Sequence, residues 1–345
     1  MDTVVDFSFG GFARWDGQYF LHIATLGYTH ENCFAFFPSF PIAVRLVSQA
    51  FSFSTNYSLN NWNSALLSSF LLNTIFFTVA AVYLYRITFR VTGSHEFAFR
   101  TWQFFCLSPA SIFFISPYSE SLFSALTFGG INYCLEGRFF KAAVFFGLSA
   151  ATRSNGLLNI SFLLFYILLS ISQISFVELC RKACQSVLFI AVMVIPFSLY
   201  QLHAFHSLCY QYEPVWSVPE TVKEYLVSEK LTIPGEQISQ WCHNVIPFSY
   251  SAIQSSYWNN GFLHYFQWKQ IPNFLLALPI LVLTTLYFYT FVQRNYKTVF
   301  TTQRFKANYK SPIFRLDCAI FAIHSMFLAL FTFFFAHVQV QLFYY

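Results

Sequence analysis

Long apolar stretches recur along the chain and constrain its fold more than any other feature. A helix needs roughly 20 mainly apolar residues to cross the hydrocarbon core of a bilayer. Of the 345 residues, 56% are hydrophobic and only 10% are charged, a composition that indicates a multispanning membrane protein rather than a soluble one. The sequence predicts about eight spanning helices, at residues 63–85, 99–115, 119–135, 139–152, 156–177, 183–205, 272–293 and 316–336.

The predicted fold class is therefore an all-α polytopic membrane protein, with one integral membrane domain over residues 1–345. The stretch "FFKAAVFFGLSAAT" is too short to cross a bilayer alone, so it and the next stretch are expected to form a broken pair around "RSNG". Residues 1–62 and 206–271 are predicted to be loops on one side of the membrane. Within the first loop, "FAFFPSFPIAVRLVSQAFSF" (34–53) carries two prolines, Arg45 and Gln49, which favours an interfacial helix over a span.

The basic residues predict the orientation. With the N-terminus outside, the connections 86–98, 136–141, 178–182 and 294–315, together with Arg100, lie inside and carry thirteen of the nineteen Lys and Arg residues. This bias follows the positive-inside rule, so the net charge of +5 reflects topology and not nucleic-acid binding. No signal peptide pattern opens the sequence, so the first spanning helix is expected to act as the targeting signal.

The eight cysteines show no Cys-x-x-Cys spacing, so neither a zinc site nor a dithiol motif is indicated. Cys33, Cys209 and Cys242 fall on the predicted oxidising side, where a Cys209–Cys242 disulfide is one open pairing. The sequon Asn56-Tyr57-Ser58 falls on the same side, as a glycosylation acceptor requires.

Polar residues that do not suit lipid gather on this same predicted face. Ionisable residues at a membrane interface are functional candidates by default. They come from five segments: Asp16, His22 and Glu31 in the first loop, Tyr118 and Glu120 in "SPYSES", Arg153 and Asn155 in "TRSNG", Trp258, Asn260 and Lys269 in the large loop, and His337 and Gln339 near the end.

Several of these candidates also have a structural interpretation. Glu120 could complement the first turn of a helix, and Arg153 could extend to the interface. His22 and His30 are more readily structural or solvated than catalytic, and for His337 the two interpretations are balanced.

Asp16 has the most particular setting. In "RWDGQYF" a carboxylate stands among large rings, which lower the local polarity and favour its use as a base. The alternative is an ion pair with Arg14, which contributes little when exposed.

These residues carry a resemblance to a known family. "RWDGQYFLHIATLGY", "FAFFPSFP", "LSPAS", "YSESLFS", "TRSNGLLN", "YWNNGFLHYFQWKQIPNFLLALP" and "HVQV" together resemble the PIG-V family, the second mannosyltransferases of glycosylphosphatidylinositol (GPI) anchor biosynthesis. The matching segments run in the expected order from about residue 12 to 340. The resemblance implies a class C glycosyltransferase (GT-C) helical bundle in the endoplasmic reticulum membrane, with its active site in the lumen.

The resemblance also implies a reaction. Mannose would pass from dolichyl phosphate mannose to the first mannose of the GPI precursor in α1,6 linkage, with inversion, and Asp16 matches the first-loop aspartate that such enzymes use as base. We expect Arg153 to hold the donor phosphate and Trp15, Tyr19 and Trp258 to contact the sugar or the prenyl chain. We expect no metal, no cofactor and no nucleic-acid partner. We do expect a small membrane protein as a partner subunit. The other expected substrate-binding residues are Glu31, Tyr118, Glu120, Asn155, Lys269, His337 and Gln339.

Three alternatives accompany this interpretation. The chain begins shortly before Asp16, where the family has a membrane helix, and stops shortly after His337, where the family continues, so an inactive truncated isoform is one alternative. A lipid or solute transporter or flippase is another, although transporters favour internal repeats and charges near the bilayer midplane. A scaffold subunit, the third, would not need Asp16 in so particular a setting.

Overall fold

The structure, a computed structural model, describes residues 2–54, 58–170, 175–211, 218–300 and 318–336, with the backbone alone described over 296–300. Regular structure in these ranges is helical, and the β pairing found there is one isolated bridge between Gln211 and Gly235. The all-helical class is thereby confirmed for the described part of the chain. The helices are α1 (Asp2–Phe9), α2 (Asp16–Leu26), α3 (Ser39–Ser54), α4 (Asn61–Thr92), α5 (His95–Cys106), α6 (Ser111–Ile115), α7 (Glu120–Leu135), α8 (Phe139–Ala150), α9 (Ile160–Leu169), α10 (Phe176–Cys209), α11 (Glu220–Ser228), α12 (Ser249–Trp258), α13 (Ile271–Phe300) and α14 (Ala319–Phe335).

Three described helical segments are long and apolar enough to cross a bilayer: α4, α10 and Trp268–Asn295, which includes most of α13. Each is longer than the roughly 20 residues that a crossing needs. Shorter apolar helical segments are Phe139–Ala150, Ser154–Leu169 and Ala319–Phe335. The structure thus supports a membrane protein, while the count of eight spans stays a prediction.

The predicted span 99–115 is not one continuous helix. It is divided between α5 and α6, and residues 107–110 between them are not helical. Pro109 lies in this interruption; proline restricts the residue before it and cannot donate a helical hydrogen bond. Neither α5 nor α6 alone reaches the length of a membrane crossing, so the prediction of one continuous helix over 99–115 is wrong.

The predicted break around "RSNG" is confirmed. α8 ends at Ala150, and a 3₁₀ helix over Ser154–Asn159 leads into α9. This turn packs directly on the end of α8, because a Cβ atom on Gly156 would overlap the backbone nitrogen of Ala150. Glycine is therefore the residue type that allows this close approach of two backbone segments.

The core of the bundle forms where α7 lies against α4 and α8, and α8 lies against α10. Phe146, Leu163 and Met193, from α8, α9 and α10, are fully buried in one apolar cluster. A second cluster joins the first loop to α4 and α10, with Phe34 and Phe40 fully buried in it. The first loop is thus packed onto the helices by aromatic side chains.

Predicted cytosolic connections meet at one end of the bundle. Glu136, just after α7, bonds Arg90 at the end of α4 over 2.7 Å and Arg138 over 3.3 Å. Lys182 in α10 donates to Ser170 Oγ over 3.1 Å and lies 5.6 Å from the ring centre of Phe139. These contacts join three of the connections that the sequence assigns to one side, and the orientation itself stays a prediction.

The two predicted loops contain helices and are held in place by hydrogen bonds and a disulfide. α3 covers most of the predicted interfacial segment, and its Arg45 donates to the carbonyls of Ala24 (2.7 Å) and Ile23 (3.4 Å), which caps the C-terminal end of α2. In the large loop, a disulfide joins Cys209 to Cys242 with their Cα atoms 5.5 Å apart. The pairing that the sequence left open is confirmed.

Candidate active site

The candidate residues fall into three groups in the structure. Asp16, Tyr118, Glu120 and Arg153 lie in segments that contact one another. Tyr19, Trp258 and Glu31 belong to a neighbouring contact between the first and large loops. Lys269 is exposed in the short 3₁₀ helix Trp268–Gln270 before α13, and the sequence-predicted residues His337 and Gln339 lie outside the described residues.

Asp16 is the first residue of α2, and the backbone just before it is strained. Trp15 has a φ of 49°, a left-handed value that is an outlier for a bulky residue and costs on the order of 1–3 kcal/mol. Its side chain is 77% exposed. Strain held by the surrounding structure is common at active sites, so this corner is a functional candidate on geometry as well as on sequence.

The connection between α6 and α7 packs on the first turn of α2. A Cβ atom on Gly17 would lie 3.1 Å from Pro117 Cγ and 3.3 Å from a ring carbon of Tyr118, so glycine permits this contact. The Tyr118 hydroxyl donates to the carbonyl of Arg14 over 3.2 Å. The loop that carries Tyr118 is thereby held against the residues flanking Asp16.

Two carboxylates, those of Asp16 and Glu120, influence Tyr118. Burial raises the pKa of Tyr118 well above its usual range, and the negative charges of Asp16 and Glu120 raise it further, while hydrogen bonds with the backbone of Gly17 and Asp16 act in the opposite direction. The phenol thus stays protonated near neutral pH and can act as a hydrogen-bond donor. Its position brings the Asp16 segment and the start of α7 into one polar site.

Glu120 and Arg153 form a partly buried ion pair at the start of α7. Their side chains are 9% and 23% exposed, and the same Arg153 nitrogen lies 3.3 Å from Ser119 Oγ. Glu120 is the first residue of α7, as the structural interpretation expected. It also pairs with Arg153, and extension of Arg153 to the interface does not by itself explain this pair. Glu120 Oε2 and Asn155 Oδ1 have no hydrogen-bond partner within the described residues, and both are acceptor atoms.

Sequence reasoning missed the residue that fixes this loop to the spanning helix. Asn73 of α4 is fully buried, and its amide donates to the carbonyls of Ser116 and of Tyr118, the latter over 3.0 Å. The Ser121 hydroxyl donates to the carbonyl of Phe114. An amide inside "LLNTIFF" was the available signal, because a polar side chain in an apolar helix needs a partner.

An open pocket of about 310 Å³ lies beside Trp15 and Tyr118. Its walls are mainly apolar, which suits a prenyl chain or the apolar face of a sugar better than a free ion. The pocket therefore sits next to the residues that flank Asp16. It is lined by Gly11, Phe12, Arg14, Trp15, Ile112, Phe113, Ser116 and Tyr118.

Aromatic side chains join α2 to the large loop. The Tyr19 ring stacks on Phe36 with 4.6 Å between centres, and Trp258 meets both, at 6.0 and 5.7 Å. Asn32 donates to the Tyr19 hydroxyl over 3.1 Å. The structure thus brings Tyr19 and Trp258 together one helical turn from Asp16.

Glu31 holds the two loops together. Its two carboxylate oxygens accept hydrogen bonds from Trp241 Nε1 and the Tyr257 hydroxyl, each over 2.8 Å, and its backbone N–H donates to the carbonyl of Thr232 over 3.0 Å. Glu31 is buried, and the loop disulfide at Cys242 follows Trp241 directly. These contacts indicate a positioning role, which the sequence did not distinguish from substrate binding.

A second polar group lies in the first loop, where the His30 ring centre is 6.3 Å from that of Tyr19. His22 Nε2 is 2.7 Å from Thr29 Oγ1, which is 2.9 Å from His30 Nδ1, and Cys33 Sγ is 3.3 Å from His30 Nε2. Burial lowers the pKa of His22, and burial together with His22 lowers that of His30 to about 4, although Asn32 opposes the change. Both imidazoles are therefore neutral near neutral pH.

Comparison with known proteins decides the family. The profile of the Mannosyltransferase (PIG-V) family matches residues 1–343, almost the whole chain. The chain belongs to the PIG-V mannosyltransferase family. Among curated relatives, GPI alpha-1,6-mannosyltransferase 2 of Cricetulus griseus is 37% identical over 85% of this chain and 60% of its own length.

Other relatives agree with this assignment. GPI alpha-1,6-mannosyltransferase 2 of Homo sapiens is 33% identical over 99% of this chain and 71% of its own length. GPI mannosyltransferase 2 of Drosophila melanogaster is 30% identical over 99% and 77%. The chain spans 60% of the length of the three rodent relatives it matches, and no solved structure matches it.

Proposed function

We propose that this PIG-V family member is a GPI mannosyltransferase of the endoplasmic reticulum. It transfers mannose in α1,6 linkage from dolichyl phosphate mannose to the first mannose of the GPI precursor. The names of its relatives support the GPI substrate and the linkage. The mainly apolar pocket beside Trp15 supports a donor whose sugar is carried on a lipid.

The observation that carries the proposal is the convergence around Tyr118. This side chain ties the backbone at Arg14 to the α6–α7 connection and is influenced by both Asp16 and Glu120. The contacts of Tyr118 and the Glu120–Arg153 pair support a site in which Asp16 is the base, Tyr118 a hydrogen-bond donor and Arg153 a cation. These are the groups that an inverting transfer from a phosphate leaving group requires.

Asp16 acts as the general base in this mechanism. The acceptor hydroxyl oxygen attacks C1 of the donor mannose as its proton passes to the Asp16 carboxylate. The bond between C1 and the phosphate oxygen breaks, and dolichyl phosphate leaves as an anion. Attack from the face opposite the leaving group converts the β-linked donor into an α-linked product, so a single base is sufficient.

Arg153 stabilises the leaving phosphate. The planar fork of a guanidinium matches the oxygens of a phosphate, and the ion pair with Glu120 holds that of Arg153 at the start of α7. Glu120 therefore orients Arg153, while Ser119 and Asn155 lie beside it. Trp15, Tyr19 and Trp258 supply ring faces for the sugar or the prenyl chain.

The remaining assignments belong to the same proposal. We place eight spans in a GT-C bundle, with residues 1–62, residues 206–271 and the active site in the lumen. Lys269, His337 and Gln339 are proposed to bind substrate, and a small membrane subunit is a proposed partner.

Complementation tests the proposed activity. The chain is expressed in cells that lack the second mannosyltransferase, and their microsomes receive dolichyl phosphate mannose and the one-mannose GPI precursor. We expect the two-mannose species to form. Stable, membrane-inserted protein that leaves the one-mannose species unchanged would contradict the proposal.

A further inference from the structure

Outside the proposed catalytic site, the first loop holds a compact group of metal-ligating side chains. His22 lies in α2, His30 directly precedes the 3₁₀ helix Glu31–Ala35, and Cys33 lies within that helix. One ligand atom from each lies within 4.8 Å of the others. Cys33 is fully buried and His30 is 7% exposed, so their geometry is set by the packed interior.

We propose that His22, His30 and Cys33 bind one Zn²⁺ ion. Imidazole nitrogen and thiolate sulfur are both ligands of Zn²⁺ in proteins. With Zn–N near 2.0 Å and Zn–S near 2.3 Å, tetrahedral ligand atoms lie about 3.3–3.8 Å apart. Cys33 Sγ lies 3.5 Å from His30 Nδ1, within this spacing, and Nδ1 is also the His30 nitrogen that lies beside Thr29.

Thr29 marks the fourth position. Its hydroxyl lies within hydrogen-bonding distance of a ring nitrogen of both His22 and His30, so it stands between two of the proposed ligands. This hydroxyl or a water completes four-coordination when the ion binds. Each imidazole gives a neutral nitrogen lone pair, and the Cys33 thiol releases its proton as the Zn–S bond forms.

The ion would link the second half of α2 to the 3₁₀ helix that carries Asn32 and Glu31. Asn32 donates a hydrogen bond to Tyr19, and Glu31 accepts one from Trp241 of the large loop. The metal would therefore make the segments that hold α2 in place more rigid, without contacting the substrate. The site stands on these three ligands and does not depend on the proposed transferase activity. A hydrogen-bonded polar core centred on Thr29 is the competing interpretation.

Cobalt substitution tests the site directly. The full chain is purified in detergent without chelators, its zinc content is measured, and the metal-stripped protein is titrated with Co²⁺. We expect about one zinc per chain and a sulfur-to-cobalt charge-transfer band. Cys33→Ser should abolish the band and weaken binding at least tenfold, whereas Cys106→Ser, in α5, should leave both unchanged.

The wild-type spectrum alone can overturn the proposal. A Co²⁺ complex without the charge-transfer band would show that no thiolate binds, whether or not the variants fold. Retention of the band by folded Cys33→Ser would assign it to another cysteine. As an independent readout, a chelator should lower the thermal unfolding midpoint of wild type but not of Cys33→Ser. If the wild-type midpoint is the same with and without chelator, the hydrogen-bonded core is favoured.

Discussion

Replacement of Glu31 by Gln should loosen the contact between the first and large loops. The carboxylate accepts one hydrogen bond from Trp241 and one from Tyr257. A glutamine retains one acceptor oxygen but presents an N–H₂ group to the other donor. At least one hydrogen bond to a charged group is lost, and the N–H or O–H that donated it is left beside the buried side chain without this acceptor.

The size of this effect follows from the bonds themselves. A hydrogen bond to a charged group contributes about 1.5–3 kcal/mol when its partner stays buried. Since 1.4 kcal/mol corresponds to a tenfold change in an equilibrium constant, local opening should rise roughly 10- to 150-fold. The rise should be confined to the segments that Glu31 joins, because its side-chain hydrogen bonds go to Trp241 and Tyr257 of the large loop.

Hydrogen–deuterium exchange measures this local opening. Peptides over residues 29–36 and 232–243 should exchange faster in Glu31→Gln, while peptides from α7 and α8 should not change. Glu229→Gln is the matched control, because Glu229 is an exposed carboxylate in the same large loop. Wild-type protection of both segments in Glu31→Gln would refute the assignment of Glu31 as the residue that joins the loops.

Three further predictions concern the phosphate site, the helix break and the topology. Arg153→Lys should stay impaired in mannose transfer at normal protein level, because an ammonium cannot reproduce the guanidinium fork; full activity would favour extension to the interface instead. Gly156→Ala should lower the free energy of unfolding by about 1–3 kcal/mol through overlap with Ala150, whereas Gly10→Ala, which meets open space, should not, and equal thermal midpoints would contradict this reasoning. A tag at the N-terminus should be protease-protected in sealed microsomes and one within 294–315 accessible; protection of the second tag would overturn the predicted orientation.

The sequence indicated the helical class and much of the site because those features depend on local pattern. Apolar length marked α4, α10 and α13, and the short stretch before "RSNG" marked the break at Gly156. The division of 99–115 was missed because its overall hydrophobicity masked the effect of Pro109 on helix continuity. Hydropathy reports the average environment of a segment and not the continuity of its backbone hydrogen bonds.

Contacts between distant segments could not be read in this way. The pairing of Arg153 with Glu120 joins residues that the sequence could assign only to one face. The partners of Glu31 lie more than two hundred residues away, at Trp241 and Tyr257. The approach of His22, His30 and Cys33 was missed because motif spacing gave no sign that the turn after α2 folds back.

The turnover of Asp16→Asn tests the central claim most directly. Asparagine keeps the size of the side chain but cannot accept the proton of the acceptor hydroxyl. Conversion of the one-mannose to the two-mannose precursor should therefore fall at least about a hundredfold, while protein level and donor binding are retained. The control is Asp6→Asn, since Asp6 is an exposed carboxylate in the same loop, and its activity should stay near that of wild type. A stably expressed Asp16→Asn protein that makes the two-mannose precursor at near wild-type rate would contradict the account and make Glu120 the next candidate for the base.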